Sequence, residues 1–115
     1  MKMDAKNIMD KFKLLYEVFQ TLPIPLIGVN SDQEIIMVNR AAQKLPVETI
    51  PLKVGKKAFE YLPDYITGRI AVSLRTNVNW SISKCALWGG YYRLECFPFS
   101  KHLCREGVLL ILNPE

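Results

Sequence analysis

Histidine is nearly absent from this chain, and most routes to catalysis go with it. His102 is the single histidine among 115 residues, so no nucleophilic serine has an imidazole to serve it. No G-x-x-x-x-G-K-[ST], G-x-S-x-G or H-E-x-x-H string occurs, and the carboxylates are scattered. The chain is therefore expected not to be an enzyme. Cys85, Cys96 and Cys104 are odd in number and form no C-x-x-C pair, which argues against a disulfide framework and a zinc site. A reducing, cytoplasmic setting is the natural expectation. No apolar run approaches the roughly 18 residues of a membrane span, and the N-terminus alternates charge with apolar residues rather than forming a signal-peptide core. The net charge of +4 is spread along the chain instead of gathered into a run, so neither membrane nor nucleic acid is expected as a partner.

What is present is concentrated in Leu22 to Leu45, LPIPLIGVNSDQEIIMVNRAAQKL. Leu26-Ile27-Gly28-Val29 is an apolar run between Pro25 and the polar turn Asn30-Ser31-Asp32, as in a short strand with both faces covered. Ile35 to Val38 form the returning strand. Asn39 then leaves the strand with a side-chain oxygen able to accept the N–H of Ala41 or Ala42, the chemistry of a helix N-cap.

These residues resemble the PAS domains, sensory modules of signalling proteins. The resemblance lies in the Leu-Pro before the first strand, the polar turn, the apolar strands and Asn39-Arg40-Ala41-Ala42 followed by Leu45. It returns in Tyr92 to Pro98 and in Gly107 to Leu112, which look like the last two strands of that family, and it spans Thr21 to Asn113. It implies an α+β domain with a five-stranded antiparallel sheet and helices on one face, over residues 21–115, preceded by an N-terminal amphipathic helix over residues 1–20.

The remaining residues are read independently. Ile8, Phe12, Leu15, Phe19 and Leu22 recur at spacings of four, three, four and three, with Leu14 and Val18 widening the stripe. Such a helix either folds over its own sheet or pairs with its copy in a homodimer. Pro46, Pro51 and Gly55 make the next stretch irregular, with a helical turn from Ala58 to Leu62. Ile66, Ile70 and Leu74 mark the inward face of a helix over Asp64 to Thr76, in which Gly68 reflects either close packing or plain helix weakness. Val78 to Ser83 alternates apolar and polar, so it reads as a strand with one wet face. Trp88-Gly89-Gly90 is a hairpin turn, and Tyr91 to Phe99 returns with Tyr92, Leu94 and Cys96 on one face. Val108 to Leu112 is apolar on both faces and belongs in the middle of the sheet.

The resemblance also implies a cavity between sheet and long helix. The matching residues are Ile36, Ile66, Ile70, Leu74, Trp80, Leu94 and Cys96, with Asn39, Ser81 and Ser83 the nearest polar groups. They name no ligand or cofactor. The function implied is that of a sensory input module of a histidine kinase or transcriptional regulator, joined to an output domain in one longer polypeptide. A small ligand, dimerisation or both would drive it. Two alternatives stand beside it: an interaction domain filled by its own side chains, and a haem or thiol redox sensor using His102 and Cys104, the latter beside Lys101 and Arg105. The long helix, where haem-binding relatives commonly carry their ligand, contains no histidine, and the N-C-R-F-L string of flavin photosensors is missing.

Overall fold

The computed structural model describes residues 5–47, 51–98 and 106–115, with side chains from Met9 onward. His102, Cys104 and Glu48 lie outside the described residues. The chain runs α1 (Ala5–Thr21), β1 (Leu26–Asn30), β2 (Ile35–Val38), α2 (Arg40–Gln43), a 3-10 turn at Ala58–Glu60, α3 (Asp64–Thr76), β3 (Trp80–Leu87), β4 (Gly90–Pro98) and β5 (Gly107–Pro114). The five strands form one antiparallel sheet in the order β2-β1-β5-β4-β3.

The doubly apolar β5 is central, as its composition requires. Its register places Leu110 between Ile27 of β1 and Cys96 of β4, and the same row continues to Val38 on one side and Trp80 on the other. Leu112 lies beside Leu94, which lies beside Ile82. Ile66 and Ile70 from α3 close this layer, and both are completely buried together with Leu94, Leu110 and Leu112. Full burial of each such side chain stabilises the fold by about 1.5–3 kcal/mol.

Local chemistry sets where α3 begins and ends. Pro63 stands at the N-cap and Asp64 places a carboxylate in the first turn, while Arg75 lies in the last. Asn77 stops the helix in a left-handed conformation, φ 59°, and its N–H donates to Ser73 O at 2.8 Å. Gly68 faces open space, with nothing within 4 Å of where a Cβ would stand, so its presence is a plain helix weakness. Trp88 and Gly89, at φ 49° and 79°, form the β3–β4 turn with both central residues left-handed.

Two strands depart from simple alternation. β3 starts at Trp80 and runs to Leu87, later and longer than the stretch from Val78 to Ser83. Between Ile82 and Cys85 the register shifts, with Lys84 at φ 52°, and Glu115 Oε2 accepts the freed Lys84 N–H at 3.0 Å. In β2 the register shifts as well: Ile35 faces Val29 and Met37 faces Gly28, leaving Ile36 as the extra residue. This bulge turns Ile36 to the outer face, where its Cγ1 would lie 3.5 Å from a Cβ on Gly28. The sequence expectation of an inward Ile36 is thus corrected.

The possibility that α1 folds over its own sheet is corrected too. Phe12, Leu15 and Tyr16 are each 64% exposed, and Met9, Leu14 and Val18 are exposed with them. The helix packs against α2, and with α1 included the structure measures 50 × 30 × 23 Å. The outer face of the sheet consequently keeps Ile36, Met37 and Phe97 exposed.

Candidate functional site

Of the residues that the sequence assigns to a cavity, Ile66, Ile70, Leu94 and Cys96 come together and are completely buried. Leu74 and Trp80 are partly buried against them. Trp80 is fixed by its indole N–H, which donates to Arg69 O at 3.1 Å, and by the Arg69 guanidinium 5.6 Å from the ring centre. These side chains pack together between sheet and α3.

An apolar cavity of about 10 Å³ lies further along the sheet, under the turn at Ala58–Glu60. Ile27, Val29 and Ile35 form its floor, and Leu52, Ala58, Tyr61, Leu62 and Trp88 form its cover and wall. Its volume is that of a single water, which would find no polar partner there. Sequence reasoning missed the cover because Pro51 and Gly55 break every periodicity; the apolar triplet Ala58, Tyr61 and Leu62 was the available signal. Tyr61 and Trp88 keep their polar ends outside the cavity, Tyr61 Oη donating to Pro51 O at 3.0 Å and Trp88 Nε1 to Tyr61 O at 3.2 Å. Burial, with Glu60 nearby, raises the Tyr61 phenol above its ordinary value.

The buried polar groups serve the fold. Ser73 is fully buried and donates to Val78 O at 2.6 Å, closing the turn between α3 and β3. Cys96 packs beside it, and burial pushes its thiol up to about 11 despite the Ser73 hydroxyl. Cys85 lies 3.1 Å from Tyr65 Oη, a contact that raises the Tyr65 phenol. Asn39 is also fully buried, but faces backbone rather than the cavity. Its Oδ1 accepts from Ala42 N at 3.0 Å as an N-cap and from Leu26 N at 2.9 Å.

The second candidate surface is α1. Phe12, Leu15 and Leu22 remain exposed along the stripe, and Phe19 is half-buried. Ile8 belongs to the same helix, its side chain outside the described residues. The stripe therefore offers apolar surface that the domain itself does not cover.

No family model and no curated protein matches this sequence. Solved structures do match. A sensory box sensor histidine kinase from Vibrio cholerae is 26% identical, with TM-score 0.61 over 96% of this chain and 95% of its own. The PAS domain of an HTR-like protein from Haloarcula marismortui has TM-score 0.70 at 13% identity, covering 96% of both chains. The PAS domain of nitrogen regulation protein NR(II) from Vibrio parahaemolyticus has TM-score 0.67 at 11% identity, over 89% of this chain and 98% of its own.

Proposed function

We propose that this chain, a PAS domain by its fold, is a sensory and regulatory module of a signal-transduction protein that works by contact rather than turnover. It binds a second copy of itself through α1 and passes the state of its sheet to an output domain in the same polypeptide, a histidine kinase or a transcriptional regulator in the cytoplasm. It performs no chemistry of its own. The observation that carries this reading is the contrast, among the described residues, between a closely packed sheet–α3 layer with a cavity of only about 10 Å³ beside it and an apolar α1 stripe left open to solvent. The likeness to a sensor histidine kinase over nearly the whole chain, α1 included, points the same way.

Mechanistically, a two-state bias in sheet packing becomes a bias in how two α1 helices meet, and only a stimulus that favours one packing shifts the output. The experiment is sedimentation equilibrium of the whole chain and of a chain lacking residues 1–20. Dimerisation that is lost with the helix is expected; a strict monomer at high concentration, unchanged by the deletion, refutes the dimer.

A second reading, binding of a small apolar ligand, is favoured by the apolar lining of the cavity at Ile27, Val29 and Ile35. Native mass spectrometry of the protein as purified distinguishes it, since a retained ligand adds a defined mass.

A further inference from the structure

Asn39 does more than cap α2. Its Nδ2 group donates to Ile24 O at 2.8 Å, to Phe19 O at 3.2 Å and to Leu22 O at 3.4 Å. Two N–H hydrogens serve these three carbonyls, while Oδ1 accepts from Leu26 N and Ala42 N. Every hydrogen-bonding position of one buried amide is thus engaged, and its partners belong to four different pieces of chain. Phe19 O is a carbonyl of the last turn of α1, left without an intrahelical partner. Leu22 and Ile24 lie in the connection, Leu26 opens β1, and Ala42 lies in α2. The preceding residue adds a second tether, because Gln20 Nε2 of α1 donates to Val38 O at 3.2 Å.

We propose that Asn39 is the joint that fixes the direction of α1 relative to the sheet. The inference rests on the reading of α1 as the dimer helix and assigns its steering to one side chain. β1 lies directly against the central β5, so a change in sheet packing moves Leu26 against Ala42. Both bond to Oδ1 of the amide whose other end holds α1, and displacement of either rotates the amide and re-aims the helix. With little other packing between α1 and the domain, the direction of the stripe follows this node and the Gln20 tether. Asn39 is accordingly a positioning residue.

The two ends of the amide are separable by substitution. Asn39→Asp keeps an oxygen for Leu26 N and Ala42 N but puts an oxygen where Nδ2 donated to three carbonyls. Asn39→Ser keeps an N-capping hydroxyl and removes the amide. Residual dipolar couplings of ¹⁵N-labelled whole chain read the outcome. In the native protein, couplings of α1 amides from Met9 to Val18 fit the same alignment as those of β1, β4 and β5. In both variants the α1 couplings are expected to fall about twofold or more while those of the sheet are kept, because a helix that swings averages them. A variant with a folded sheet and unchanged α1 couplings overturns the proposal. Gln20→Ala, which leaves the core untouched, covers the case in which both Asn39 variants unfold. An α1 that keeps the alignment of the sheet without the Gln20 tether supports the Asn39 joint, and an α1 that swings assigns the direction to Gln20 and refutes it. Sedimentation of the same samples separates the two claims: a native monomer overturns the dimer reading and leaves the couplings readable, whereas variants with native couplings overturn the joint whatever the dimer does.

Discussion

Leu14 and Leu15 provide a matched pair for testing the α1 surface, because the two residues are of one type, adjacent, and 62% and 64% exposed. Leu15 lies on the narrow seam with Phe12, Phe19 and Leu22, whereas Leu14 lies on the margin that widens the stripe. A leucine gains about 1.5–3 kcal/mol on full burial, so one that is roughly two thirds exposed has about 1–2 kcal/mol still to gain. A symmetric dimer buries Leu15 twice, and Leu15→Ala therefore removes about 2–4 kcal/mol, a weakening of the dimer by roughly 30- to 1,000-fold. Leu14→Ala removes as much side chain from a position beside the seam and is expected to change the dimer constant by less than about threefold. Alanine is at least as good a helix former as leucine, so neither change melts α1. Sedimentation equilibrium over a concentration series gives both constants. Equal effects of the two substitutions, or no effect of either, would refute the assignment of the seam.

Gly68→Ala on the exposed side of α3 is expected to stabilise the domain by up to about 1 kcal/mol, since nothing lies near the new methyl, and urea unfolding gives the value. Ile35→Ala, which enlarges the apolar cavity from its floor, is expected to cost about 2–5 kcal/mol in the same assay. The Cys96 thiol, raised from 9.0 to about 11 by burial, ionises first in the unfolded chain. Its contribution to stability is therefore complete below pH 9.0 and is lost as pH rises to about 11. Urea midpoints measured from pH 8 to 11 should fall more steeply for the native protein than for Cys96→Ala; parallel slopes would contradict the assignment.

The parts of the fold that the sequence discloses are those decided by local chemistry. Asn39 with two alanines behind it specifies a cap, and the structure has Asn39 Oδ1 on Ala42 N. The four-residue recurrence of Ile66, Ile70 and Leu74 between Pro63 and Asn77 delimits α3, and the apolar Val108 to Leu112 specifies a strand covered on both sides. What stays hidden depends on distant partners. One extra residue in β2 reverses the direction of Ile36, and alternation read from the sequence cannot register it. The β3 bulge is completed by Glu115, 31 positions away. The cover of the cavity has no periodicity, and the second role of Asn39 is set by carbonyls 15 to 20 positions earlier. Whether an amphipathic helix covers its own domain or waits for another is likewise undecided by its stripe, which reads the same in both cases.

Energetics also rank the two channels through which a stimulus could enter. Drug-sized ligands occupy pockets of about 300–1,000 Å³, and the cavity here holds about 10 Å³. Admitting such a ligand requires lifting the cover from Gly55 to Leu62 off β2 and the hairpin. The hydrogen bonds that hold it there include these four, besides Lys57 Nζ to Asp32 O on the surface: Gly55 N to Ile35 O, Ile35 N to Lys56 O, Ala58 N to Gln33 O, and Trp88 Nε1 to Tyr61 O. At about 0.5–1.5 kcal/mol each, their loss disfavours the open state by roughly 2–6 kcal/mol, before the cost of exposing Leu52 and Leu62. A ligand would bind with its affinity reduced about 30-fold to 25,000-fold by that step. The α1 stripe is exposed already and needs no such opening. On the proposed reading, contact through α1 is the less costly input, and a ligand that does enter must bind the opened state tightly enough to offset the lifted cover.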